Sequence, residues 1–178
     1  MRETSLNAAF ELSARKMACL LLAGAAIGVV PTAQASHTCT VSVSTENFGA
    51  YSGVQINTSA TMTVTCTLVG STNETANFTA TLSTGAGTYA QRLVTHSGPP
   101  ADTLKYNLYK TTVPGTLNTS VWGDGSGGTV TWASSISMTT GSRVVSKTLT
   151  VAAALAAVAA IPTAGTYNDT ITVTVTYT

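Results

Sequence analysis

The side chains able to do chemistry in this chain are few. Its 178 residues hold seven carboxylates, two histidines and three cysteines. A serine hydrolase needs a nucleophile, a base and an orienting acid. Only His37 and His96 could be the base. His37 falls near the expected mature N-terminus, where chains fray. His96 opens the polar turn His96-Ser97-Gly98-Pro99-Pro100. No G-x-S-x-G elbow is present; Asp124 stands where its first glycine would be. The glycine-rich Gly123–Gly128 stretch lacks the Lys-Ser/Thr that completes a phosphate loop, and no strand-to-helix context surrounds it. It reads as a tight loop between strands, and Asp124 alone does not make a calcium site. The reading is therefore of a non-enzyme, with no catalytic residue, no cofactor and no metal.

The cysteines depend on the compartment. Arg15 and Lys16 precede an apolar run from Met17 to Val30, closed by Pro31 and then Ala33-Gln34-Ala35. A basic start, an apolar core and an A-x-A site make a secretory signal peptide. The run is shorter than the ~20 residues that span a bilayer. Cleavage is expected between Ala35 and Ser36, giving a signal segment 1–35 and a domain 36–178; a cut near Ala25 or Ala26 stays open. Cleavage removes Cys19 and leaves Cys39 and Cys66. In an oxidising compartment two cysteines most simply pair. The loop between them, nearly 30 residues, corresponds to roughly 3–4 kcal/mol in the chain-entropy model.

Charge points the same way as the missing catalytic groups. Charged residues make up 8% of the chain and the formal net charge is +1, against about 25% charged in an average domain. No surplus of Lys and Arg exists to neutralise nucleic-acid phosphates. After cleavage, Arg92, Lys105, Lys110, Arg143 and Lys147 balance Glu46, Glu74, Asp102, Asp124 and Asp169. A neutral surface favours association. Threonine, about a fifth of the residues, takes the place of the missing charge.

The elements that position these residues read as strands. Period-two alternation places Cys39, Val41 and Val43 on one face, then Ala60, Met62, Val64, Cys66 and Leu68. It continues through Ala76, Phe78, Ala80 and Leu82, through Leu104, Tyr106 and Leu108, and through Val130 and Trp132. Val145, Leu149 and Val151 follow, and the last strand is the cleanest, with Ile171, Val173, Val175 and Tyr177 opposite four threonines. Threonine is β-branched and fits the polar face of a pleated sheet. Many short strands with one polar face predict an all-β sandwich. Ala152–Ala160 has helix propensity, but it is flanked by strands and closed by Pro162. It reads as a strand end plus connection, with a short helical turn as the alternative. The aromatic residues read as core, and the five N-x-Ser/Thr sequons at Asn57, Asn73, Asn77, Asn118 and Asn168 as turn and edge positions.

The ordered set of motifs resembles one family. It comprises Cys39-Thr40-Val41, Phe48-Gly49-Ala50-Tyr51, Val64-Thr65-Cys66, Leu104 to Tyr109, Val121 to Gly125, and Ala164 to Val175. Together with the signal segment, this set is similar to the bacterial spore coat protein U domain family, which includes the archaic Csu-type chaperone–usher pilins. The resemblance implies an immunoglobulin-like sandwich that is incomplete because its last strand is missing. It implies a structural subunit of a surface pilus or coat. Its partners would be a periplasmic chaperone, an outer-membrane usher and other subunits. A strand from the chaperone, and later from a neighbouring subunit, would fill the gap beside Ile171, Val173, Val175 and Tyr177. The alternatives are a tip or surface-binding adhesin, contacting its target through Trp122 and the Gly123–Gly128 turn, and a non-fimbrial coat protein. Only Ser36-His37-Thr38 would precede Cys39, too little to donate a strand.

Overall fold

The computed structural model describes residues 36–111, 120–160 and 162–178, and the backbone of Ser5–Ser13. Among these residues the secondary structure is strand and turn, with no helix. In chain order the strands are β1 (Ser5–Ser13), β2 (His37–Val43), β3 (Glu46–Ala50), β4 (Ile56–Leu68) and β5 (Glu74–Leu82). Then come β6 (Arg92–His96), β7 (Thr103–Thr111), β8 (Trp132–Met138), β9 (Val144–Leu155) and β10 (Tyr167–Tyr177).

Alternation builds the core. Met62, Val64, Cys66 and Leu68 of β4 are buried, and so are Ala76, Phe78, Ala80 and Leu82 of β5. Leu104, Tyr106 and Leu108 of β7, and Leu149, Val151, Ala153 and Leu155 of β9, join the same cluster. The opposite faces carry hydroxyls that pair across strands. Thr63 meets Thr148 at 3.3 Å, Thr65 meets Ser146 at 2.7 Å and Thr75 meets Ser137 at 3.1 Å. Threonine thus supplies both the β-branched shape and the cross-strand contact.

The hydrogen-bonded path runs β2-β4-β9-β7-β6-β10-β1-β3, with β5 paired to β10 and β8 to β5. Every pairing is antiparallel except β1 with β10. Along one side of β10, Tyr167 and Asn168 pair with β6, and Val173–Tyr177 pair with β5. That strand therefore joins two groups of strands. Between the groups, β8 also lies against β4 and β9, with which it shares no strand pairing.

The alanine-rich segment is strand as far as Leu155 and connection afterwards. It is central, with β4 on one side and β7 on the other. Pairing on both edges overrides its helix propensity. The alternation did not bring out two strands, β3 and β6. Each carries a charged residue on its buried face, Glu46 in β3 and Arg92 in β6. Val130 lies outside β8 and forms an isolated bridge with Trp122.

Candidate strand-accepting site

Cys39 and Cys66 are direct partners across β2 and β4. Their sulfurs are bonded, with the Cα atoms 4.0 Å apart. The bridge ties the outermost strand of the path to its neighbour, and it places no reactive thiol at any surface.

The last strand behaves as its alternation dictates. Ile171, Val173 and Val175 are buried, and Tyr177 is half-buried, with its ring 5.9 Å from that of His37. The side of β10 away from β5 and β6 is paired along Leu6–Ser13 with Tyr167–Thr174. On the far side of β1 lies β3, paired from Ser5↔Ala50 to Ala8↔Glu46. A position one strand wide therefore separates β10 from β3. The backbone that fills it belongs to Ser5–Ser13, far ahead of Ser36 in sequence.

Three residues of this site form one cross-strand row. Ala8 is the register partner of both Asp169 and Glu46. Asp169 is well satisfied. Its carboxylate accepts from the Tyr106 hydroxyl at 2.5 Å, the Ala86 N–H at 2.9 Å and the Thr170 N–H at 2.8 Å. Gly85, at φ 62°, lets the neighbouring backbone approach this carboxylate, and a Cβ there would collide with it. Burial and the bond to Asp169 raise the Tyr106 hydroxyl's pKa. Nearby, the Arg92 guanidinium is fully buried and donates to Asn107 Oδ1 at 2.5 Å, Ser83 O at 2.9 Å and Trp122 O at 2.8 Å. It also lies over the Tyr89 ring at 5.3 Å. Burial lowers its pKa, while the surrounding tyrosines and Asp169 favour the charge.

Glu46 is the exception. It is fully buried, yet neither carboxylate oxygen has a hydrogen-bond partner among the described residues. Thr58 and the Ala60 backbone favour the charged carboxylate, but they offset only part of the desolvation. Burial pushes the carboxyl up from 4.5 to about 7. Sequence reading passed over Glu46, Arg92 and Asp169 as ordinary charged residues. One signal was available for Glu46: it holds an inward position two residues before Phe48 in an alternating segment.

The remaining candidates fall outside this site. His96 Nδ1 is 2.6 Å from Gly98 O within its own turn, and its ring packs on Tyr167. Asp124 accepts from the Ser126 N–H and hydroxyl, which lowers its pKa. Among the described residues no group of three or more His, Cys, Asp or Glu converges. Trp122 corrects the surface-binding expectation, because it is fully buried. Its indole N–H donates to Ala80 O at 3.1 Å and its ring packs edge-on against Trp132. It closes the core beneath the glycine loop and is not available to a ligand. Asn57, Asn73, Asn77 and Asn168 are exposed. Ala35, Cys19 and Asn118 lie outside the described residues.

Compared with known families, the chain matches the Spore Coat Protein U domain over residues 25–174. No curated protein matches it. The strand Ser5–Ser13 lies outside the family match, whereas β10 up to Thr174 and all of β3 lie within it.

Proposed function

The chain belongs to the Spore Coat Protein U domain family, and on that premise we propose that it is a secreted structural subunit of a bacterial surface assembly, a Csu-type pilus or a spore coat. Its fold is an immunoglobulin-like sandwich that lacks one strand of its own. One sheet is β2-β4-β9-β7-β6 and the other β8-β5-β10 with β3, leaving the open position between β10 and β3. In the exported protein, cut between Ala35 and Ser36, residues 5–13 are gone and that position is vacant. A periplasmic chaperone fills it first and a strand from another subunit fills it afterwards, with an outer-membrane usher passing the subunit to the surface.

One observation carries this reading: a single-strand position flanked by two family-matched strands is occupied by a segment from outside the family match. An unfilled position would expose two rows of unpaired backbone groups and the apolar pockets of Ile171, Val173 and Val175. That combination is an aggregation hazard and a template for β-augmentation, in which backbone bonds give affinity and alternate side chains give specificity.

A terminal or tip position is favoured over a shaft position by β2. It begins at His37, so cleavage after Ala35 leaves no extension to donate. A photo-crosslinking amino acid at Thr172, on the β10 stretch that faces the position, tests the assembly. In surface material from the producing cell it should capture a strand of another subunit. Crosslinks confined to the chain itself would contradict the proposal.

A further inference from the structure

Resting on the reading that the position between β10 and β3 accepts a partner's strand, we propose that Glu46 makes that position selective. The strand it accepts carries a serine or threonine hydroxyl at the residue that lies between Glu46 and Asp169.

The register defines the place. One residue of any occupying strand stands between Asp169 on β10 and Glu46 on β3, where Ala8 stands in the present register. Neighbours across a sheet share a face, and both carboxylates belong to the buried face. The occupant's side chain at this position is therefore directed at the same interior. The Glu46 oxygens there have no hydrogen-bond partner among the described residues.

Of the two carboxylates, Asp169 has no need of a further donor. It already accepts three bonds and lies in the field of Arg92. Glu46 has only the partial help of Thr58 and Ala60, which does not offset its desolvation. A buried acceptor left unmade is costly, and a donor brought to it gains the larger bond available to a charged group. An alkyl side chain leaves Glu46 desolvated and unpaired. A lysine or arginine would bring a long chain and a further charge whose own burial is costly. A hydroxyl adds one donor at little volume, so Ser and Thr fit the chemistry best.

Threonine and valine share a shape, which makes the test clean. The exported, processed protein is produced with a strand appended after Thr178 through a flexible linker. Two versions differ only in Thr or Val at the residue opposite Asp169, and a third carries the linker alone. Urea unfolding is measured at neutral pH. The Thr version should have a folding equilibrium constant about tenfold larger than the Val version, the size of one hydrogen bond to a charged group. Glu46→Leu should abolish or reverse that preference. Glu46→Gln, which keeps the shape, should reduce it, and covers the case in which the leucine variant does not fold. Equal stability of the Thr and Val versions would overturn the selectivity while leaving strand acceptance intact. An undiminished Thr preference in both Glu46 variants would do the same. If neither strand stabilises the protein beyond the linker alone, strand acceptance itself fails and the selectivity with it.

Discussion

Arg92 is a fully buried charge held by three hydrogen-bonded partners. Removing its guanidinium strands Ser83 O and Trp122 O in the interior and takes one of its two donors from Asn107 Oδ1. Arg92→Met keeps an apolar stem of similar length, so lost packing is a small part of the effect. The expected cost is about 3 kcal/mol or more, read from the urea midpoint of the strand-completed protein. Glu46 acts in the opposite sense. Its carboxyl titrates near 4.5 when unfolded and about 7 when folded. The folded state holds the proton more tightly, so this group's contribution is fully present below about pH 4.5. It declines as pH rises and levels off above about 7. Unfolding measured from pH 4 to 8 should show that decline in the protein completed by a strand with no donor opposite Asp169, and Glu46→Gln should flatten it. An identical pH profile in the two proteins would show that Glu46 is not desolvated.

At the scale of elements, the disulfide is the feature whose removal is simplest to read. Cys39 and Cys66 face each other on the outermost pair of the path. The double change to serine should lower stability by roughly 3–4 kcal/mol, and the native exported protein should show no free thiol by mass spectrometry after alkylation. Most strands were legible because a buried face and a threonine face alternate with little noise, as in β4, β5 and β10. The bridge was legible because both cysteines sit on apolar faces. β3 and β6 were not, because each puts a charge where the pattern demands an apolar residue. A single sequence does not tell an inward Arg92 or Glu46 from an outward one; what decides is the far partners they meet. Those partners come from distant segments, such as Asn107 and Trp122 for Arg92. For Trp122 the aromatic-core expectation held. Its place beside a glycine loop suggested exposure, whereas the loop folds over it and Gly123 donates to Val130 O.

At the scale of the whole molecule, scarcity of charge and the missing strand belong to one account. A domain with balanced charge and threonine faces has little electrostatic repulsion to oppose packing against its neighbours. On the proposed reading, the same domain, once its leader is removed, has an interior open along β10. That reading makes its stability inseparable from the strand that closes it, as for any fold completed by a partner. The most direct measurement compares reversible unfolding of the exported 36–178 protein alone with the same protein carrying an alternating apolar strand appended after Thr178. The account predicts that the bare domain aggregates or unfolds at low urea, while the strand-bearing form is a monomer with a cooperative transition at far higher urea. A bare domain that refolds reversibly as a monomer, with the same midpoint as the strand-bearing form, would contradict it.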